Sequence, residues 1–313
     1  MVTVLMSVYN APLPLLNAAI DSILAQTHAD FEFLIIDDGS DCQEARAFLA
    51  RKSLADPRIR VAWEPHRGLT ASLNRGLELA GGEFIARQDA DDWSSPHRLE
   101  HQLAHLHQHP GDAVCGSDAW MHQHNGRKLW RTHLPQSRDE LLCAFPRRNP
   151  FVHGAVMFRK AAALAEGGYC EHFPCSQDYD LFWRMTERYG AVNLSMPLYH
   201  YRYTGGSVSA NKAAEQLRAH DAIRVLAAAR QRGESQEPSL ALARSSAVDN
   251  GHGLVRALLK QADHCMLAGD YRRAARSYLG LVANHPGNPL AWAKLIRLGV
   301  FRIAPFLREA CFR

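Results

Sequence analysis

Strand and helix alternate through the first ninety or so residues, and this alternation constrains the fold more than any other feature of the chain. Val2-Thr3-Val4-Leu5-Met6-Ser7-Val8 is β-rich and stops at the turn signal Tyr9-Asn10. Leu15, Leu16, Ala19, Ile20, Ile23 and Leu24 then recur at helical spacing. Phe31 to Ile36 is a second apolar strand, closed by Asp37-Asp38-Gly39-Ser40, and a polar helix follows it. Arg58 to Trp63 is a weaker third strand. Leu69, Leu73, Leu77 and Ala80 mark another helix, which Gly81-Gly82 is expected to cap. Residues 83–87 form a fourth strand that runs into Gln88-Asp89-Ala90-Asp91-Asp92.

Such repetition implies a mostly parallel sheet with right-handed crossovers. Parallel strands all end on one edge, so Tyr9-Asn10, Asp37-Asp38 and Asp89 to Asp91 are expected to gather there, where open α/β sheets bind ligands. Three carboxylates within four residues repel one another, and a buried strand end tolerates them where a cation sits. Hard divalent ions such as Mn²⁺ or Mg²⁺ prefer oxygen ligands and take one or two carboxylates together with substrate phosphates. The acidic edge therefore reads as a site for a metal-bound diphosphate, or, failing a ligand, as a solvated loop.

Beyond residue 97 the pattern is mixed. A helix is expected over roughly 97–109, strand-like pieces near 112–121 and 127–133, and a buried strand at Gly154 to Phe158. A helix over Asp178 to Tyr189 takes Ser176 as its expected N-cap. From about residue 211 strand signals stop and Ala, Leu, Arg and Gln dominate, which places a catalytic domain at 1–210 and an α-helical appendage at 211–313. Within it, residues 262–295 resemble one tetratricopeptide unit; an ordinary helical hairpin reads equally from the same residues, since a lone unit makes no solenoid.

Several classes lose support. The net charge of +4 is mild, and no nucleic-acid partner is expected. No Gly-x-Gly-x-x-Gly follows the first strand and no phosphate-loop signature occurs anywhere, against a dinucleotide dehydrogenase or a P-loop enzyme. No Gly-x-Ser-x-Gly elbow supports a serine hydrolase. Neither a secretory leader nor a run of about 20 apolar residues is visible, so a cytoplasmic protein is expected. The seven cysteines have irregular spacing and read as reduced thiols. His97, His101, His105 and His109 share one helix face; they could chelate zinc or nickel, or form a solvated stripe, with no Cys or acid of the stripe to join them. Leu295 to Arg313 is basic and amphipathic, suited to lie on an anionic membrane surface or to pack on the protein.

Four blocks in order, Ser7-Val8-Tyr9-Asn10, Ile35 to Ser40, Gly68 to Gly76 and Gln88 to Asp92, resemble the successive signatures of family 2 inverting glycosyltransferases. The resemblance runs from residue 2 to about 209 and implies the GT-A fold, a Rossmann-like, mostly parallel nucleotide-sugar-binding sheet, here with the helical appendage added. Close bacterial relatives build cell-surface polysaccharides. The resemblance implies a donor nucleotide sugar, UDP-linked by expectation, and a saccharide or lipid-linked saccharide acceptor. It places Tyr9, Asn10, Asp38, Asn74 and Asp89 on the nucleotide, Asp38 at the base, and Asp91 on the metal with Asp89 assisting. Asp38 also reads as a cap or Asx-turn residue, a role that can coexist with the first. Ser176-Gln177-Asp178-Tyr179-Asp180-Leu181 resembles the family stretch whose first Asp is the general base, which implies Asp178; Gln177 stands where relatives carry Glu. A carboxylate neighbour raises an Asp pKa, so its loss implies a less basic Asp178. Asp180 is the runner-up base, or a first-turn acid facing the helix dipole. His200 to Ser209 resembles a mobile family segment near the diphosphate; it suggests Arg202 as a diphosphate contact or a surface arginine, and the family histidine falls on Thr204. His153 reads as an acceptor-side residue or a satisfied core histidine.

In this chemistry an acceptor hydroxyl attacks the sugar C1 in line as the nucleoside diphosphate departs, with a carboxylate taking the proton and the metal neutralising the leaving group. Two further classes stay open. A nucleotidyltransferase would show a Gly-rich basic loop where Tyr9-Asn10-Ala11-Pro12 stands. A non-catalytic nucleotide-sugar-binding protein would use the helical tail for partners, with Gln177 and Thr204 as signs of decay.

Overall fold

The computed structural model describes residues 1–205, 211–238, 241–242, 245 and 251–303. The chain divides into two compact units. One comprises Met1–Trp120 with Arg131–Tyr201, the other Met121–Trp130 with Arg202–Arg313.

In the first unit, β1 (Val2–Val8), β2 (Phe31–Asp38), β3 (Ile59–Glu64) and β4 (Phe84–Asp89) alternate with α1 (Leu13–Leu24), α2 (Gln43–Ala55) and α3 (Leu69–Leu79). β1 and β2 read as near-continuous apolar runs because both faces of a parallel sheet are covered; nearly every residue of both is buried. Each fully buried Val, Ile, Leu or Phe contributes about 1.5–3 kcal/mol of transfer free energy, and one cluster collects Val4, Met6, Ile20, Phe33, Ile35, Phe84 and Leu106. β1 pairs in parallel with β2 and β4, with Val8 opposite Asp37 and Ser7 opposite Asp89. This register levels Tyr9-Asn10, Asp38 and Asp89 along one edge.

The mixed half contains β5 (Trp93–Ser94), α4 (Arg98–Gln108), β6 (Asp112–His122), β7 (Lys128–Arg131), α5 (Arg138–Ala144), β8 (Met157–Arg159), α6 (Lys160–Ala165), α7 (Gln177–Arg188) and β9 (Gly190–Arg202). The strand order is β3-β2-β1-β4-β8-β6-β9-β5, with β7 paired to β6. β8 runs antiparallel to β4, so the residues entering β8 lie beside the end of β4, where Arg87 N–H donates to the Val156 carbonyl at 2.8 Å.

Three local expectations change. The segment expected as one strand from Gly154 divides into a 3₁₀ turn, His153–Ala155, and the shorter β8. The turn sets Gly154 against Tyr199 and Asp89, where a Cβ would lie 2.9 Å from Asp89 Oδ2. Gly81-Gly82 is not a left-handed cap: α3 ends through Ala80 at φ −61° and ψ 129°. Gly82 instead admits the Thr3 backbone, 2.5 Å from where a Cβ would stand. Ser176 is the N-cap residue of α7 as expected, but it sits in the left-handed region at φ 68° and its side chain makes no capping bond. The first amides of α7, at Asp178 and Tyr179, lie near the Asp178 carboxylate and act to lower its pKa.

The second unit holds the hairpin around residues 121–130 and the helices α8 (Ala213–Gln231), α9 (Gly251–Ala268), α10 (Tyr271–Asn284) and α11 (Pro289–Ile303). Gly269, at φ 86°, turns α9 into α10, and Asp270 caps α10 by accepting from Arg273 N–H at 3.0 Å. Ala262, Cys265, Ala274, Tyr278, Leu281 and Ala291 form this unit's own core. No helix among the described residues is long and apolar enough to cross a membrane.

Candidate active site

The edge of the sheet is assembled by bonds between loops distant in sequence. Asn10, at φ 49°, directs its Oδ1 to the N–H groups of Asp41 (2.9 Å) and Cys42 (3.4 Å), and its own N–H donates to Ser40 Oγ at 3.0 Å. It thus caps α2, whose N-cap Cys42 makes no side-chain capping bond. Asp38 is almost wholly buried. Its Oδ1 accepts from Arg67 N–H at 2.9 Å and its Oδ2 from Gly68 N–H at 3.0 Å, while His66 Nδ1 lies 2.9 Å from Oδ2. Asp38 therefore holds the 66–68 loop at the start of α3, and that loop presents the His66 ring, stacked on Tyr9 at 4.0 Å. Asn74 is spanned by a single residue: Nδ2 donates to the Tyr169 carbonyl (2.8 Å) and Oδ1 accepts from Tyr169 N–H (2.9 Å).

Beside them sits a buried arginine. Arg87 in β4 has a fully covered side chain that donates to Asp89 Oδ1 at 2.8 Å, to His153 Nε2 at 3.2 Å and to the Leu5 carbonyl. Guanidinium only donates, so His153 Nε2 is an acceptor and the ring proton lies on Nδ1. Burial, then the nearby guanidinium, pushes the His153 pKa well down and keeps the ring neutral. Tyr169 Oη lies 3.3 Å from the same Nε2, and its phenol pKa is raised by burial and by the charges of Asp178 and Asp89. Asp89 N–H donates to Tyr199 Oη at 3.2 Å. Asp91 is half-buried in the turn after β4. Arg98, also fully buried, donates to Ser94 Oγ (2.8 Å), Gln88 Oε1 (3.3 Å) and the Arg87 carbonyl, and burial lowers its pKa to about 10.

Asp178 lies at the first turn of α7. Its Oδ2 accepts from Asn149 Nδ2 at 2.7 Å. Burial raises its pKa to about 6, against the lowering effect of its bonds to the helix amides and Asn149, and the Asp89 charge adds to the rise. With Gln177 in place of a carboxylate, desolvation is the main cause of the raised pKa of Asp178. Gln177 is buried with no hydrogen-bond partner for its Oε1. Asp180 is taken by Arg184, at 2.6 Å from Nη2 and 3.0 Å from Nε. Asp89, His153, Tyr169 and Asp178 are thus one electrostatically linked group. Arg202 and Thr204 bond within the second unit, to the His124 carbonyl and from His264 Nε2. Ser207 and Ser209 lie outside the described residues.

Sequence reasoning passed over Arg87, Tyr169 and Tyr199, while the blocks Pro96 to Leu99, after the acidic run, and Asn149 to Gly154, on the acceptor side, already contained Arg98 and Asn149. Arg87 carried a signal: a lone cation inside an apolar strand beside an acidic run must have partners. Tyr169 carried none, since it stands in a loop.

The acidic run offers only hard oxygen donors, and one oxygen of Asp89 is held by Arg87. Among the described residues no third His, Cys or acid completes a cage around Asp89 and Asp91. That set fits Mn²⁺ or Mg²⁺, which leave ligand positions for water and phosphate.

The family model for glycosyl transferase family 2 matches residues 3–167, more than half of the chain. The chain belongs to glycosyl transferase family 2. The O-antigen biosynthesis glycosyltransferase WbnJ of Escherichia coli is 33% identical over 205 residues, 64% of this chain and 79% of WbnJ. This glycosyltransferase also resembles two solved structures. One is S. aureus TarS 1–349 in complex with UDP-GlcNAc, with a TM-score of 0.57 at 16% identity over 96% of this chain and 91% of that one. The other is the mannosyltransferase PcManGT from Pyrobaculum calidifontis in complex with GDP-Man and Mn²⁺, with a TM-score of 0.56 at 17% identity over 96% and 80%. At such identity the likeness concerns the fold, which is the GT-A type. Membership makes the chain a glycosyltransferase enzyme and sets aside a nucleotidyltransferase.

Proposed function

We propose that this glycosyltransferase moves a sugar from a nucleotide sugar to an acceptor hydroxyl with inversion, in bacterial polysaccharide synthesis. The observation that carries the reading is the half-buried carboxylate of Asp178, with its raised pKa, in one electrostatic group with Asp89 of the acidic run. A base facing a sugar must be unprotonated yet basic, and a pKa near 6 serves both needs. Asn149 and the amides of α7 orient it. It takes the proton of the acceptor hydroxyl while that oxygen bonds to C1, the C1–O bond to the diphosphate breaks, and the nucleoside diphosphate departs from the opposite face. Asp91 with Asp89 would hold Mn²⁺ or Mg²⁺, which would supply charge neutralisation to the departing diphosphate.

The stacked Tyr9 and His66 rings form the platform for the base, and Asp38 acts by fixing the loop that carries His66. Asn74 positions Tyr169, and His153 with Arg87 fixes the direction of Asp89. UDP-GlcNAc in TarS and GDP-Man with Mn²⁺ in PcManGT favour a nucleotide-sugar donor, and UDP is our choice of nucleotide. The O-antigen role of WbnJ favours a saccharide or lipid-linked saccharide acceptor. Catalysis is assigned to the first unit, with the C-terminal stretch as a contact to the inner membrane face held in the same proposal. The test is NMR of the product formed from UDP-sugars with Mn²⁺: an anomeric configuration opposite to the donor's is expected, and a retained configuration would overturn the reading.

A further inference from the structure

The helix α4 ends at Gln108, and His109 is its C-cap residue. The chain then turns through Pro110-Gly111 into β6, and Asp112 N–H donates to the His109 carbonyl at 3.0 Å. This turn does what the histidine stripe cannot do alone: it brings an acid to the two histidines nearest the helix end. His105 Nε2 lies 2.7 Å from Asp112 Oδ2, and both side chains are largely covered, at 16% and 23% exposure. The His105 and His109 rings stack at 4.1 Å with 16° between their planes. One ligand atom from each of His105, His109 and Asp112 falls within 4.8 Å of the others.

The orientation of His109 adds an independent argument. Its Nδ1 lies 3.0 Å from the His105 carbonyl. A carbonyl only accepts, so Nδ1 carries the proton and Nε2 keeps a lone pair. A backbone carbonyl holding one ring nitrogen as donor is the arrangement that fixes the tautomer of metal-bound histidines. Asp112 has its carboxylate turned to His105, while Arg159 Nε reaches only the main-chain oxygen of Asp112, at 2.9 Å. The negative end of the α4 dipole faces the same place and favours a cation.

We propose that His105, His109 and Asp112 form a second metal site, separate from the acidic run, that takes Zn²⁺ in preference to Mg²⁺ or Mn²⁺. Two imidazoles and one carboxylate suit a borderline ion, whereas the acidic run, with oxygen alone, suits hard ones. Zinc bonds of about 2.0–2.2 Å place neighbouring ligand atoms about 3.3 Å apart. The His105–Asp112 pair therefore opens by about 0.6 Å as the ion takes the place between Nε2 and Oδ2, with the ring proton of His105 then on Nδ1. The ion would tie the end of α4 to the start of β6. Arg159, at the end of β8, already holds that turn through the Asp112 carbonyl.

The test is Co²⁺ titration of the full chain in excess Mg²⁺, read by visible d–d absorption, with Zn²⁺ competing. One equivalent of Co²⁺ is expected to develop the bands and Zn²⁺ to abolish them, with the thermal midpoint rising on zinc. His109→Ala removes an exposed side chain, and Asp112→Asn keeps the shape of its own; each is expected to weaken uptake about tenfold or more. His101→Ala, on the same stripe but outside the cluster, is expected to leave uptake unchanged. Equal uptake by wild type and His109→Ala, or equal loss in His101→Ala, would overturn the proposal and leave only adventitious binding along the stripe.

Discussion

Asn149 donates to Asp178 at 2.7 Å, and the other end of the same carboxamide accepts from Phe151 N–H at 3.1 Å. The second bond fixes which end faces Asp178, so the carboxylate always meets a donor. A bond to the charged form lowers a pKa, opposing the burial that raises it to about 6. The proposed base at Asp178 can act only when ionised, so activity should fall as pH drops through this value. In Asn149→Ala the stabilising bond is gone. The acidic limb of the kcat profile should move to higher pH than in wild type, with activity recovering at alkaline pH; pH–rate profiles of the two proteins check this.

Asp178 also weakens the fold it serves. Its folded pKa of about 6 lies above the 3.8 of an unperturbed carboxyl. Between these values the folded state holds the proton that the unfolded chain releases, so stability falls as pH rises through this window. Above it the penalty is fully present. Asp178→Asn should therefore raise stability at neutral pH, on the order of 1–3 kcal/mol, and the gain should vanish below about pH 4. Denaturant titrations at acid and neutral pH check the sign.

Arg87 links three acceptors that no smaller cation reaches together: Asp89, His153 and the Leu5 carbonyl. Arg87→Met leaves Asp89 without its partner, and about 3–5 kcal/mol of stability should be lost. Arg87→Lys restores charge but not the fork, so it should recover only part of that loss. Chemical denaturation of both variants measures this.

Gly154 is required for close approach, not for backbone freedom. A methyl group there would overlap Tyr199 Oη and stand 2.9 Å from Asp89 Oδ2. Gly154→Ala should cost about 1–3 kcal/mol and reduce turnover by displacing Asp89. Gly280, within α10 and with nothing within 4 Å of its Cβ position, is the control. Gly280→Ala should gain up to about 1 kcal/mol and leave turnover unchanged.

The parallel half of the sheet was legible because each strand is an apolar run that ends in a polar turn, and parallel register leaves Asp38 and Asp89 no other edge to occupy. Antiparallel pairing was not legible. The strand β5 has two residues, and β9 carries Pro197 and polar residues through its length, so neither shows a period. Of the site, the acids were visible as charges at strand ends. Their holders were not, because Arg87 sits inside a strand and Tyr169 and Asn149 stand in loops whose partners lie far away in sequence. The raised pKa of Asp178 was not legible for a related reason: sequence shows neighbouring charges, whereas desolvation depends on packing.

In the proposed reaction Asp178 takes the acceptor proton and plays no part in holding the donor. Asp178→Asn preserves the shape of the side chain and removes its basicity. Calorimetry with the nucleotide sugar and Mn²⁺ should give a donor affinity unchanged from wild type, while turnover on the same preparation should fall by about 10²-fold or more. Turnover close to wild type in Asp178→Asn would contradict the account.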